Sequence, residues 1–375
     1  MSLLKGFEGR CGLAKNAQTT WALVIANPTA APTDLVTLLS ENITDDFERV
    51  PDESIYGGAG LIVDSQGVQP IAGELNVQVV YDTTANSNFW GTDLLFALAM
   101  GSCTWNTGSA AFNDLVLTDN IDDLSGTPIC GTMSIDKKIS TTPWQYNGMY
   151  INGFTLTGNA KENIKATFPV ISYDVDRAAG TYSAAELLTL YQNVDENPPM
   201  KLLFSDLTFR VGDDADALDS GDNYGINSFT FTFNRNLTDP EFSTPDATTG
   251  QTATRNTIEP VSNGFREVTL QIVLPRYYSD AFYTWRDADE LLQCYLKFSA
   301  SSGAREFNLL IPTMKITNVS VPIGGSGVAP ITVDFKVFLK HSDNSYLTYT
   351  SGTAITQEFG LEMQNTDDGR TAAIF

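Results

Sequence analysis

Histidine is almost missing: the chain of 375 residues contains one, His341. That leaves little room for a histidine-based catalytic triad or a histidine-rich metal site. Cysteine is scarce too. Cys11, Cys103, Cys130 and Cys294 lie far apart with no CxxC pair, so free thiols in a protein made in a reducing compartment are expected rather than a disulfide framework. Positive charge is thin, with 22 Lys and Arg against 45 Asp and Glu and a formal charge of -23, which argues against gripping nucleic acid through its phosphates. No apolar run approaches the roughly 18 residues of a membrane span; the richest is residues 94–100. The N-terminal MSLLKGFEGRCGLAKN has too short an apolar stretch, and too early a glutamate in Glu8, for a secretory signal. Catalytic signatures are missing as well: there is no GxSxG, GxxxxGK[ST] or HExxH, and no GxGxxG after a strand.

What is present is a folded, β-rich pattern. Apolar residues at 42% and aromatics at 11% are too plentiful for a disordered acidic chain. One stretch occurs twice, as MYINGFTLTGNAKENIKATFPVI from Met149 and as MKITNVSVPIGGSGVAPITVDFKVF from Met314. Ile151, Phe154 and Phe168 of the first copy answer to Ile316, Val319 and Phe335 of the second. In each copy two arms flank a polar, glycine-containing turn, and the second arm alternates apolar and polar residues, so each unit reads as a β-hairpin with one buried face.

The order of elements before each hairpin also repeats. Residues 73–81 form a predicted strand with Leu75, Val77, Val79 and Tyr81 on one face and Glu74, Asn76 and Gln78 on the other. Thr92 or Asp93 caps a helix stopped by Gly101. In the second half, residues 264–274 place Val268, Leu270, Ile272 and Leu274 opposite Glu267, Thr269 and Gln271, and Ser279 and Asp280 cap a helix to about Leu292. Strands over 132–139 and 295–300 follow. This predicts a mainly β protein of two tandem β-sandwich or barrel-like domains, each with a flanking short helix, arising by internal duplication. The divisions are an N-terminal arm (1–34), a first domain (35–176), a connection with a helix, a strand and an acidic loop (177–224), a second domain (225–342) and a C-terminal tail (343–375).

Few residues invite a chemical reading. Asp213, Asp214, Asp216, Asp219 and Asp222 resemble a calcium loop loosely but lack its sixth-position glycine and twelfth-position glutamate; a solvated acidic loop is the simpler reading. Tyr277, Tyr278, Phe282, Tyr283 and Trp285 have helical spacing that fits core packing better than a stacking platform, since no basic groove accompanies them. His341 beside Ser342 and Asp343 reads as a surface residue. No catalytic residue, metal ligand or cofactor is assigned.

The segments SIDKKISTTPWQYNGMYINGFTLTGNAKENIKATFPVI, INSFTFTFNRNLTDP, EPVSNGFREVTLQIVLP and FNLLIPTMKITNVSVPIGGSGVAPITVDFKVFL resemble the tail tube proteins of long-tailed bacteriophages, in the longer type with two tube domains. The resemblance implies β-sandwich domains stacked as rings into a virion tail tube, assembled in the host cytoplasm. The partners it implies are other copies of the chain, the tape measure, tail terminator and baseplate proteins, and DNA that passes through without specific binding. The negative charge fits a wall that must not hold a polyanion. Two domains per chain would let three chains close a ring that six single-domain subunits would otherwise make. Loops 41–70 and 236–263 are expected at contacts within or between rings, and Glu74, Asn76, Gln78, Glu267, Thr269 and Gln271 on the lumen. Two alternatives stay open: another β-rich virion component, such as a baseplate, tail-completion or head-decoration protein, and a calcium- or sugar-binding adhesion sandwich. A hydrolase with an unrecognised acidic site is a third.

Overall fold

The structure, a computed structural model, describes the chain from Arg10 to Asn365 apart from residues 16–31, 33, 52–63, 82–83, 86–87, 91, 107–111, 118–128, 138–141, 178–186, 189–199, 243–256, 278, 301–304, 322–329 and 341–345. It is mainly β. The first half contains β1 (Arg10–Lys15), β2 (Asp34–Leu35), β3 (Leu38–Glu41), β4 (Arg49–Pro51), β5 (Asp64–Gln66), β6 (Ala72–Gln78), β7 (Thr84–Ala85) and β8 (Asn88–Trp90). Helix α1 (Thr92–Met100) follows, then β9 (Gly101–Asn106), β10 (Phe112–Leu117), β11 (Gly131–Asp136), β12 (Trp144–Ile151), β13 (Gly153–Asn159), β14 (Lys165–Ile171) and β15 (Asp174–Asp176). The second half runs β16 (Leu207–Asp213), β17 (Ser228–Asn234), β18 (Glu267–Leu274), helix α2 (Ala281–Asp287), β19 (Leu292–Ser299), β20 (Arg305–Ser320), β21 (Ile331–Val337) and β22 (Gly360–Asn365).

The halves pair their strands in the same order. In the first, β3 lies on β6, β6 on β14 and β14 on β13; in the second, β17 lies on β18, β18 on β21 and β21 on β20. Phe168 faces Leu75 across one ladder, and Phe335 faces Leu270 across the other. A second set matches as well: β1 pairs with β11 and β11 with β12, while β16 pairs with β19 and β19 with β20. The ladder shifts register just after Gly131↔Met149 in the first set and just after Leu292↔Met314 in the second. Met149 and Met314 are the residues that open the two copies of the repeated hairpin.

The two halves are not separate bodies. Strand β13 pairs with β17 through seven consecutive positions, from Gly153↔Asn234 to Asn159↔Ser228. One continuous sheet therefore runs β3-β6-β14-β13-β17-β18-β21-β20. Behind it, Phe96 of α1 meets Phe154 at 4.9 Å, Phe168 at 5.2 Å and Phe307 of the second half at 5.7 Å, so one core serves both halves. Helix α1 is not flanking, as expected, but buried along its whole length. Its sequence TDLLFALAM is apolar nearly all round, and such a helix is stable only when enclosed. Helix α2 does flank: of its residues only Phe282 is buried. It ends at Asp287, short of the expected Leu292, which instead opens β19.

The supposed arm and tail also differ from expectation. Within the arm, β1 is an internal strand between β11 and β2, with Cys11 and Leu13 fully buried. Within the tail, β22 lies between β10 and β20, with Phe359, Leu361 and Met363 in the core. Strands β1 and β22 are held by partners distant in the chain. The connecting segment supplies β16, near the strand expected there. Two further readings of the sequence, a possible strand at residues 21–26 (WALVIA) and a helix that Ser183 and Glu186 would cap as far as Tyr191, fall wholly or mostly outside the described residues.

Candidate assembly surface and channel face

Alternation in the eight-stranded sheet, broken by register shifts in β3 and β20, sends its phenylalanines and most aliphatic residues inward and a polar set outward. One row of directly paired residues crosses the sheet as Asn76, Thr167, Thr155, Thr232, Thr269, Lys336 and Lys315. The next runs Gln78, Lys165, Thr157, Thr230, Gln271, Asp334 and Asn318. Glu74 and Glu267 stand on the same face, opposite Pro169 and Asn234. All six residues assigned to a lumen wall thus share one face of one sheet, although they come from both halves of the chain.

Side chains on this face bond to one another across strands. Thr167 donates to Asn76 Oδ1 at 2.6 Å, and Asn76 Nδ2 donates to Ser40 Oγ at 3.1 Å. Gln271 and Asn318 both donate to the Asp334 carboxylate, at 2.7 and 3.0 Å. Cross-strand pairs of this kind fix register and flatten the polar surface. The absence of lysine from β6 and β18 does not extend to the whole face, since β14, β21 and β20 bring Lys165, Lys336 and Lys315. Lys165 is paired with Glu162 at 3.2 Å and Lys315 with Asp289 at 2.6 Å, which offsets two of the three cations.

Among the described residues, two strands of this sheet are edges. Strand β3 pairs only with β6, and beyond Met314 β20 pairs only with β21 among the described residues. Leu39 of β3 is 53% exposed. Unpaired edges offer a row of backbone N–H and C=O groups to another strand.

The chain matches the family model described as phage tail tube protein over residues 10–337. This chain belongs to the phage tail tube protein family. No curated protein matches it. It is a structural protein of the phage tail, a family not normally enzymatic, and such proteins assemble with their own copies into a tube and meet other tail proteins. The matched span begins at β1, inside the stretch read as an arm, in keeping with that strand's place in the core. No described helix is long and apolar enough to cross a membrane.

The other sequence candidates resolve in structural terms. In the acidic loop of this tail tube protein, Asp213 accepts from Ala215 N at 2.9 Å, while Asp219 and Asp222 cap a short 3-10 turn reciprocally. Those carboxylates are turned toward backbone N–H groups. Among the described residues no group of three or more His, Cys, Asp and Glu is arranged to hold a metal. Phe282, Trp285 and Tyr224 pack ring against ring at 5.1 to 6.3 Å, so the aromatic helix serves packing. Tyr277 is exposed; Tyr278 and His341 lie outside the described residues.

The seam between the halves also contains a buried polar group. The loop after β17 folds over the first half: Arg235 N donates to Asn152 O at 3.1 Å, Leu237 N to Asn152 Oδ1 at 2.9 Å, and Tyr150 OH to Glu259 Oε1 at 2.6 Å. Burial, together with Cys130 and Glu259 nearby, raises the Tyr150 pKa well above its usual value, and burial raises that of Cys130 likewise. Cys11 is pushed up to about 12, first by burial and then by Glu41. Raised acids favour their neutral forms in the fold, so this stability is full below the unfolded pKa values of about 8.5 and 10. It is lost as pH rises above them. The melting temperature is therefore expected to fall steadily above about pH 9, with Tyr150→Phe showing a shallower fall; an identical alkaline profile in that variant would remove Tyr150 from the account.

Proposed function

We propose that three copies of this chain close each ring of the tail tube and that the polar face of the eight-stranded sheet lines the DNA channel. The observation that carries this reading is the β13–β17 ladder. In the repeated order of strands, β13 is the last strand of the first set and β17 the first strand of the second. The free edge of β20 corresponds to that of β13, and the free edge of β3 to that of β17. Pairing β20 of one copy with β3 of the next repeats between chains the junction already made within one. Three chains of eight strands each then close a barrel of twenty-four, with no edge left over. We read the halves as duplicated domains of about residues 10–176 and 207–365, supported by their matching order and register shifts.

A channel wall of Thr, Asn and Gln with balanced charge offers DNA many weak hydrogen-bonding partners and no concentrated cationic trap. Tape measure, terminator and baseplate proteins would meet the inside and the two ends of such a tube, with assembly in the host cytoplasm before the virion forms. A reconstruction of purified tubes by electron microscopy tests the reading: three chains per ring with Thr155, Thr232 and Thr269 facing the channel support it. Six chains per ring, or that face on the outer surface, overturns it. Replacing both Glu74 and Glu267 by Lys is expected to leave tubes intact while slowing or blocking DNA ejection from assembled phage, and unaltered ejection would place this face elsewhere.

A further inference from the structure

Where β18 begins and β21 ends lies a cleft that no described segment covers, and that has a covered counterpart in the first half. Its volume is about 720 Å³, and Phe265, Lys336, Phe338, Leu339 and Gln357 are among its lining residues. Phe265 is 95% exposed and Leu339 59%. In the first half, Ile171 and Ser172 hold the positions of Phe338 and Leu339, three and four residues past Phe168 and Phe335. They are 7% and 2% exposed. The second half's loop after β17 covers this part of the first: Thr257 donates to Ser172 O at 3.3 Å, and Leu237 packs with Tyr150 and Tyr173.

We infer that the described parts of the loop between β3 and β6 of one copy, residues 42–51 and 64–71, dock in this cleft of the neighbouring copy. The inference rests on the ring reading above. Strand β3 occupies the place of β17, and so its loop occupies the place of the covering loop. Thr44 bridges Ala72 as Asn234 pairs with Glu267, so Phe47 stands where Leu237 stands, three residues further on. The loop's base is tied to its own chain by Lys137–Glu41 at 2.7 Å and by the Arg177–Asp45 ion pair. Beyond that base, the β4–β5 hairpin carries exposed Val50. A two-stranded hairpin is marginal without a surface to pack on. Charge agrees as well: Asp46 and Glu48 are exposed on the loop, and Lys336 lines the cleft with Lys340 just beyond.

The test combines Phe47→Cys and Leu339→Cys in one full-length chain, oxidised mildly after assembly, with each single variant as a control. Cross-linked products of two and three chains from the double variant alone are expected. In parallel, Leu339→Asp should leave the subunit's melting temperature unchanged, because the residue is exposed, yet reduce tube yield at least tenfold. Rings of three that form without cross-links, together with normal tubes from Leu339→Asp, overturn the docking and leave the ring reading standing. Failure of the wild-type chain to form rings of three removes both.

Discussion

Gly153→Val costs the folded chain at least about 3 kcal/mol, read as a lower urea midpoint with the slope unchanged. Gly153 lies where the chain leaves β12 for β13, with φ at 125°, a region that side-chain-bearing residues rarely enter. A Cβ there would sit 2.1 Å from Phe233 O and 3.1 Å from Asn234 Cα. Both neighbours are backbone of β17, so neither can swing aside as a flexible side chain would. The strain alone is worth about 1 to 3 kcal/mol, and relieving the clash parts the β13–β17 ladder at its first pair. Gly264→Ala is the control: φ is 142°, but no atom lies within 4 Å, so only the backbone strain remains and the loss is smaller. Equal midpoints for Gly153→Val and the wild type would show that the seam does not need this close approach.

Phe359→Ala is expected to cost about 3 to 5 kcal/mol, as for other fully buried aromatic residues cut back to alanine. The ring is 0% exposed and lies 5.1 Å from Phe231, 5.1 Å from Phe233 and 6.0 Å from Phe154. Phe154 belongs to the first half and Phe231 and Phe233 to the second, so a residue near the C-terminus fills the space between them. Removing it leaves a cavity that backbone pinned in two ladders is poorly able to close. Phe265→Ala, at 95% exposed, should leave the monomer's melting temperature within a degree or so of the wild type. A similar loss from the two variants in thermal unfolding would mean that Phe359 is not a core residue.

The parts of the fold that could be read directly are those whose pattern is local. In β6 and β18 an unbroken alternation assigned Leu75, Val77, Leu270 and Ile272 to the core and Glu74, Asn76, Thr269 and Gln271 to the other face, and each side chain lies as expected. Helix α1 starts at Thr92 and stops before Gly101, near the expected bounds, although the Thr92 hydroxyl donates to Val80 O instead of capping the helix. The SFTFTFN of β17 alternates just as cleanly and was the signal available for the strand that joins the halves. By contrast, the buried strand RCGLAK of β1 mixes small, polar and apolar residues, and nothing within it announces that β11 and β2 enclose it.

Sequence by itself determined the β class, the repeated hairpin, the inward and outward faces of the main strands and the family resemblance. Each depends on side-chain periodicity or residue order, which a short window of chain already contains. Tertiary structure alone decided that the halves share one core, that the supposed arm and tail are internal strands, and that one polar face runs unbroken across both halves. Those features depend on pairings between residues far apart, such as β1 with β11 and β22 with β10. A strand's hydrogen bonds are satisfied by whichever edge the rest of the fold brings alongside, and no local pattern encodes which edge that is.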